Sequence, residues 1–335
     1  PGDTTIISQT PINDGYWHHI AATRNESTGQ MKLYIDGELE ANAAGSTGSK
    51  NAQSRILIGS LNLMDSQYLR GDFDDIRIFS RELASYEVAR LAAKDLPPTS
   101  PKKGFDLVPD NWPDWQNSLA RLNAAWFYNW GRDIGEYDWP EDIEHVPMQW
   151  GKWWPNTSTL VSEVTAMKER GFANYLMGFN EPDSTSQSDT TVAKAIEMWP
   201  DLMATGLPLV SPATVHPDNA WMQDFMNQIN QLGYRVDYVA VHYYGGVNPD
   251  TFINKLISVY DLYGRPLWIT EFGAADWGAS SPEENQFSEG EVYTYLAEIL
   301  WRMEQMDIVS RYSWFCAGID SPALCRSALF EADQV

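Results

Sequence analysis

The feature that most constrains the fold is a regular alternation of β-leaning and helical segments from residue 103 onward. Alternation of this kind indicates β/α units and a parallel sheet. Helical patterns lie between most of the strand candidates, for example over residues 159–170 and 289–306. There are eight strand candidates, over residues 103–108, 124–130, 145–150, 174–180, 208–213, 238–243, 266–271 and 311–315. Because eight parallel strands close a barrel with a packed interior, we predict an α/β fold, a (β/α)8 TIM barrel, over residues 103–335.

Residues 1–96 have a different character, with one of the fifteen tryptophans, Trp17. Their apolar residues alternate over residues 17–23, 31–35, 55–59 and 73–79, and Asp36-Gly37 is a strong hairpin signal. A short helix is predicted over residues 85–93. We therefore predict a separate, apparently incomplete β-sandwich of the jelly-roll type over residues 1–96. A Pro-rich, polar stretch at residues 97–102 is typical of a linker.

Composition excludes several classes of partner. The 335 residues carry a net charge of −23, which disfavours nucleic acid and anionic membrane, whereas a neutral polysaccharide is not repelled. The sequence has no run of 18 apolar residues, which is about the length that a membrane-spanning helix needs. We expect a secreted monomer. Cys316 and Cys325 could form a disulfide or be two free thiols. Two cysteines and five scattered histidines offer no metal-ligand cluster, so neither a metal nor a cofactor is expected.

Two glutamates carry most of the functional information. Glu181 lies in the segment 178–183 (GFNEPD) and Glu271 in the segment 268–273 (WITEFG), and each follows a short apolar strand candidate. In the strand count these are the fourth and the seventh strands, whose C-terminal ends meet at the mouth of a barrel. One carboxyl group acting as acid and another as nucleophile or base are what cleavage of a glycosidic bond requires.

The motifs at the strand ends resemble those of glycoside hydrolase family 128, the Asl1-like catalytic domain of clan A. The resemblance covers residues 102–335 and rests on eight segments in order: 103–105 (KGF), 126–131 (WFYNWG), 146–151 (VPMQWG), 178–183, 211–213 (SPA), 241–245 (VHYYG), 268–273 and 312–315 (YSWF). It implies a retaining endo-β-1,3-glucanase in which Glu181 is the acid/base and Glu271 the nucleophile. It also implies that Tyr244 donates a hydrogen bond to the nucleophile. Residues 1–96 resemble the later strands of laminin G and concanavalin-like domains.

Further residues are candidates for binding substrate because they lie at or beside strand ends, where aromatic faces can stack on sugar rings. Asn180 precedes the first glutamate and can bind a sugar hydroxyl. His242 and Tyr244 share one face of the sixth strand, although a buried structural role for His242 is equally open. The remaining candidates are Tyr128, Asn129, Trp130, Trp150 and Trp314, with weaker ones in loops at Trp153, Trp154, Trp221 and Trp277.

Other interpretations stay open at this point. The same mechanism could act on a β-1,4-glucan, a mannan or a galactan, because sequence does not decide the geometry of the subsites. A non-catalytic carbohydrate-binding protein is a second alternative. Loss of Glu181 or Glu271 would favour it, but both glutamates are present. For Asp72, Asp74 and Asp75 a solvated charge cluster is favoured over a calcium site.

Overall fold

The computed structural model describes residues 4–49, 70–92, 100–107, 115–133, 143–315 and 317–329. The chain divides into two compact units, Pro1–Leu96 and Pro97–Val335. Among the described residues, no helix combines the length and the apolar character needed to cross a bilayer. The predicted segment 55–59 and part of the predicted linker lie outside these residues, as does Cys316. The pairing of Cys316 with Cys325 therefore stays a prediction.

The N-terminal unit contains a three-stranded antiparallel sheet made of β1 (Ile20–Arg24), β2 (Gln30–Ile35) and β3 (Glu38–Ala44), in that order. The predicted hairpin turn joins β2 to β3, where Asp36 and Gly37 have φ angles of 53° and 89°. Two successive positive φ angles give a turn whose twist matches that of the flanking strands. Helix α1 (Ser85–Ala92) confirms the predicted helix and packs over the sheet through a small apolar cluster of Tyr34, Leu83 and Val88.

The predicted strand at residues 73–79 is wrong. The segment has no strand structure and its apolar side chains are exposed, with Ile78 at 74%. A strand is stable only when its N–H and C=O groups bond to a neighbouring strand. Within the described residues, the sheet β1-β2-β3 does not pair with this segment. The apolar residues of this segment alternate, but among the residues that the structure describes no strand pairs with it.

In the second unit, eight parallel strands form a closed ring. Six of them form one sheet in the order β6-β5-β4-β11-β10-β9, and the remaining two, β7 and β8, pair with each other. Single parallel bridges, Met148 to Met177 and Val210 to Tyr238, link this pair to the chain after β6 and before β9. The strands are β4 (Lys103–Asp106), β5 (Trp126–Tyr128), β6 (Glu144–His145), β7 (Leu176–Met177), β8 (Leu209–Val210), β9 (Val239–Gly245), β10 (Leu267–Ala274) and β11 (Val309–Trp314). Each falls within or overlaps one of the eight predicted segments, and the predicted barrel is confirmed.

Helices lie between most successive strands. They are α2 (Trp115–Arg121), α3 (Leu160–Glu169), α4 (Val192–Ala204), α5 (Ala220–Leu232), α6 (Pro249–Tyr263) and α7 (Glu289–Gln305). Helices α4 to α7 each begin at a side chain that accepts a hydrogen bond from a backbone N–H of the first turn, namely Thr191, Asn219, Asn248 and Ser288. Such caps satisfy donors that a helix start leaves unpaired, so local sequence fixes where these helices begin.

The barrel has two apolar layers. The larger one lies between strands and helices and includes Phe127, Phe179 and Phe272. The smaller one fills the barrel interior and includes Trp126, Tyr128 and Trp268. Successive residues of a strand face opposite sides of the sheet. Side chains of the smaller layer therefore point toward the barrel axis, and side chains of the larger layer point toward the helices. The interior layer supports the site described next.

Candidate active site

Glu181 follows β7 and is held by the neighbouring strand ends. Its N–H donates to the carbonyl of Ala213 at 2.7 Å, and the preceding Asn180 donates its N–H to the carbonyl of Trp150 at 2.8 Å. Glu181 has a positive φ of 39°, a conformation rare for residues other than glycine. Its side chain is 15% exposed. The backbone thus fixes this carboxylate at the mouth of the barrel while leaving it accessible.

Glu271 reaches the barrel interior because β10 contains a bulge. The pairing of β10 with β9 shifts register between Ile269 and Glu271, and the pairing with β11 shifts between Ile269 and Phe272. Trp268 points toward the barrel axis, so strict alternation from Trp268 would turn Glu271 away from the axis and Phe272 toward it. Phe272 instead lies in the outer layer, which shows that the alternation shifts between these residues. A bulge adds one residue and changes the direction of the next side chain. Glu271 is consequently an inward-pointing residue with 5% exposure.

Three donors surround the Glu271 carboxylate. The Tyr244 hydroxyl donates to Oε2 at 2.6 Å, the Trp130 Nε1 donates to Oε1 at 2.9 Å, and the Tyr128 hydroxyl lies 3.3 Å from Oε1. The Tyr128 hydroxyl also donates to the Thr270 carbonyl at 3.0 Å, which ties the bulge to β5. Hydrogen bonds from several donors fix the orientation of a carboxylate. The hydrogen bond expected from Tyr244 is present.

His242 lies between the two glutamates. Its Nδ1 is 3.1 Å from Glu181 Oε1 and 3.5 Å from Glu271 Oε2, and its side chain is fully buried. Burial lowers the pKa of His242, but the charges of Glu271, Glu181 and Asp106 outweigh it and raise the pKa above its usual 6.5. Nε2 has no hydrogen-bond partner among the described residues. The ring is therefore buried and contacts both glutamates, while its contact with a sugar stays a prediction.

One ligand atom from each of Glu181, His242 and Glu271 lies within 4.8 Å of the other two. This spacing could hold a metal ion, and two of the three ligands are carboxylates, which a count of cysteines and histidines does not include. The same spacing suits a pair of catalytic carboxylates, which lie about 5 Å apart in retaining glycosidases. Two carboxylates at this distance, at the C-terminal ends of the fourth and seventh strands of a β/α barrel, form the arrangement found in barrel glycosidases.

Aromatic side chains line the mouth on several sides. Trp130 contacts Phe315 edge-on with ring centroids 6.2 Å apart, and Phe315 contacts Tyr244 at 5.4 Å. Beyond β6, Trp150 contacts Trp153 at 5.3 Å and Trp154 at 6.2 Å, and the latter two are 62% and 44% exposed. Trp277 is 68% exposed and donates its Nε1 to the Tyr244 carbonyl at 3.3 Å. Flat apolar rings of this kind can stack on sugars.

Three predicted substrate-binding residues have other contacts. Trp314 is 3% exposed, packs on Phe272 in the outer layer and donates its Nε1 to the Ser327 carbonyl at 2.7 Å. Asn129 uses its side chain within its own loop and against His145 at 3.1 Å. Tyr128 is fully buried and contacts Glu271 from below, so in this structure it positions a carboxylate and is not placed to touch a sugar.

The remaining candidates are at the mouth. Asn180 is 4% exposed, and its Oδ1 has no partner within the described part of the chain, so it could accept a hydrogen bond from a sugar hydroxyl. Trp130, Trp150, His242 and Tyr244 also lie there. Trp221, one of the weaker candidates, stacks on Phe225 and donates to the Thr190 carbonyl, which is a structural role.

Sequence reasoning missed two residues of the site. Phe315 lies at the mouth in place of Trp314, and alternation from Ser313, which faces the interior carboxylate Asp106, could have identified it. Asp106 itself is a fully buried acid within the apolar segment 105–107, and a charged residue inside a strand candidate was the available signal. The choice of Trp314 over Phe315 comes from judging residues by type and not by the face of the strand.

Comparisons with known proteins agree with this geometry. Residues 107–334 match the glycosyl hydrolase catalytic core family, and residues 1–89 match the concanavalin A-like lectin/glucanases superfamily. The chain therefore belongs to the glycosyl hydrolase catalytic core family, and the resemblance to glycoside hydrolase family 128 is confirmed by relatives from that family.

Three relatives illustrate the similarity. A variant of a family 128 endo-β-1,3-glucanase from Amycolatopsis mediterranei, in complex with laminaritriose and laminaribiose, is 28% identical with a TM-score of 0.60, covering 69% of this chain and 93% of that one. A curdlan-specific exo-β-1,3-glucanase of family 128 from Blastomyces gilchristii is 26% identical with a TM-score of 0.52, covering 69% and 97%. Alkali-sensitive linkage protein 1 of Schizosaccharomyces pombe is 27% identical over 230 residues, covering 66% of this chain. The match spans 40% of the length of that yeast protein.

Proposed function

We propose that the barrel unit hydrolyses β-1,3-glucan by double displacement with retention of anomeric configuration. The observation that carries the proposal is the placement of Glu181 and Glu271, whose oxygens approach within 4.8 Å across the mouth. A separation of about 5 Å suits direct attack by one carboxylate, whereas inverting enzymes leave about 6.5–9.5 Å for a water molecule. Glu271 is the nucleophile and Glu181 the acid/base.

The contacts of the two glutamates support this assignment. Three donors surround the Glu271 carboxylate and fix its orientation, as a nucleophile requires. Glu181 protonates the glycosidic oxygen while Glu271 attacks the anomeric carbon, and the aglycone leaves. Glu181, now ionised, then removes a proton from the water that attacks the glycosyl–enzyme ester. His242 donates to Glu181 in this second state and stabilises its charge.

The substrate assignment rests on the character of the mouth and on the relatives. A protein with a net charge of −23 favours a neutral polymer over an acidic one. Exposed aromatic rings lie beyond β6 at Trp153 and Trp154 and beside β9 at Trp277, so a chain could bind across the carboxylates and be cut internally. Solved family 128 relatives include both an endo- and an exo-β-1,3-glucanase. These relatives do not distinguish endo from exo cleavage, so our proposal of endo cleavage rests on the exposed rings around the mouth. We also propose that the protein acts as a secreted monomer.

The test is hydrolysis of laminarin and curdlan by the full chain, compared with cellulose, mannan and galactan. Glu181→Gln and Glu271→Gln should each reduce the rate on β-1,3-glucan by about a thousandfold or more. Glu197→Gln, at an exposed glutamate that pairs with Lys194 on α4, is the matched control and should keep full activity. A mixture of oligosaccharides as early products supports the endo habit, and glucose alone contradicts it. Binding of laminarin without hydrolysis by the wild type would favour the carbohydrate-binding alternative.

A further inference from the structure

Asp183 is a charged residue of the segment 178–183 to which the proposed reaction gives no role. It lies two residues after Glu181, it is partly buried, and its carboxylate reaches the loop between β8 and α5. Oδ1 accepts a hydrogen bond from the Val215 N–H at 3.1 Å, and Oδ2 accepts one from Asn219 Nδ2 at 2.7 Å. Both oxygens of Asp183 therefore bind the neighbouring loop.

The orientation of the Asn219 amide is fixed by its other contact. Asn219 caps α5, because its Oδ1 accepts a hydrogen bond from the Met222 N–H at 2.9 Å. A rotation that exchanged the oxygen and the nitrogen of this amide would direct two donors at each other. Nδ2 must therefore face Asp183, and position 183 has to supply two acceptors, one for Asn219 and one for the Val215 N–H. An asparagine at this position would supply only one.

Asp183 and Glu181 belong to the same tight turn. The Ser184 N–H donates to the Glu181 carbonyl at 3.0 Å, and Pro182, whose ring fixes its φ angle, lies between the two acids. Glu181 has a φ of 39°, and such a conformation persists only where the surrounding structure determines it. Few rotatable backbone angles separate the two residues, so an anchor at Asp183 restricts the backbone of Glu181.

We propose that Asp183 is a positioning residue, which holds Glu181 where it can protonate the glycosidic oxygen by anchoring the turn at residues 181–184 to the start of α5. A second contact joins the same parts of the chain, since Trp221 Nε1 donates to the Thr190 carbonyl at 2.9 Å. A general acid must lie within hydrogen-bond reach of the atom that it protonates, and a displacement of about 1 Å can cost about a hundredfold in rate. This role rests on the proposed function.

The test compares two substrates of the full chain whose leaving groups differ in their need for a proton. A sugar leaving group is protonated by Glu181 as it departs, whereas dinitrophenolate leaves without a proton. Asp183→Asn should lower kcat/KM on laminarin by about 10- to 100-fold and keep kcat/KM on dinitrophenyl β-laminaritrioside within about threefold of the wild type. A purely structural defect would lower both values by the same factor.

A reciprocal exchange of donor and acceptor provides the rescue. Asn219→Asp alone should also impair hydrolysis of laminarin, because it brings two carboxylates together. In the double variant, Asp183→Asn with Asn219→Asp, the new amide donates to the new carboxylate and still accepts from the Val215 N–H, while aspartate is a good cap for α5. The rate on laminarin should return to within about threefold of the wild type. Asp218→Asn, at an exposed pair with Lys255 in the same loop, is the matched control and should change neither rate.

Three results would overturn this role for Asp183. They are equal losses on the two substrates, a laminarin rate of folded Asp183→Asn within about threefold of the wild type, and a folded double variant without recovery. If Asp183→Asn does not fold, Asp183→Ser, whose hydroxyl can rotate to avoid opposing the Asn219 donor, allows the same comparison of substrates. A wild type that hydrolyses neither substrate would refute the proposed function itself, which distinguishes that failure from the other three.

Discussion

Removal of the Tyr244 hydroxyl tests how Glu271 is held. Tyr244→Phe deletes the 2.6 Å hydrogen bond to Oε2 and leaves the ring, which packs edge-on against Phe315 and Trp277 at 5.4 and 6.1 Å. Burial and the charges of Glu271 and Asp106 raise the pKa of Tyr244 well above its usual 10, so the phenol is a donor throughout the working pH range. The variant therefore loses a donor and little packing.

The size of the effect follows from the kind of bond lost. A hydrogen bond to a charged group contributes about 1.5–3 kcal/mol, which corresponds to a decrease of about 10- to 150-fold in kcat/KM. Tyr128→Phe should cost less, since its hydroxyl lies 3.3 Å from Glu271 and shares its proton with the Thr270 carbonyl. Initial rates of reducing-end release from laminarin, with thermal unfolding as a control for folding, measure both variants. A folded Tyr244→Phe within threefold of the wild type, or a larger loss in Tyr128→Phe, would refute this account of the nucleophile.

Other substitutions test the fold around the site. Trp314→Ala should reduce the free energy of unfolding by about 3–5 kcal/mol and leave KM for laminarin unchanged, because the ring is buried in the outer layer; a higher KM with normal stability would contradict this. Gly104→Ala should cost about 1–3 kcal/mol, since its Cβ would overlap the Trp126 indole, and urea unfolding at the wild-type midpoint would contradict it. Burial lowers the pKa of His145 to about 3, so its contribution to stability is complete above pH 6.5 and is lost as the pH falls toward 3. His145→Gln should flatten the acid side of the stability curve, and an unchanged pH dependence would speak against it.

The parts of the fold that sequence predicted are those set by local patterns. The hairpin at Asp36-Gly37 follows from residues that tolerate positive φ. The helix at 160–169 follows from its periodic apolar face, and the helix at 289–305 follows from such a face together with the cap at Ser288. Strand order around the barrel follows from alternation of β and α segments, since successive parallel strands tend to be neighbours. The segment 73–79 shows the limit, because its pattern is local but pairing depends on a distant strand.

The site shows a second limit, which concerns the direction of side chains. Glu181 and Glu271 were found from residue type and position, but strict alternation from Trp268 would have turned Glu271 outward. Only the bulge before Glu271 directs it inward, and a bulge is set by contacts between strands such as the one from Tyr128 to the Thr270 carbonyl. The same dependence on strand face explains why Phe315, and not Trp314, lies at the mouth.

The stereochemistry of the first product measures the proposed mechanism most directly. Proton NMR spectra recorded within the first minutes of laminarin hydrolysis distinguish the anomers of the new reducing end before they equilibrate. With Glu181 and Glu271 at the separation seen here, the β-anomer should accumulate first and convert slowly to the equilibrium mixture. Initial accumulation of the α-anomer would show that water attacks directly, and it would contradict the role of Glu271 as nucleophile.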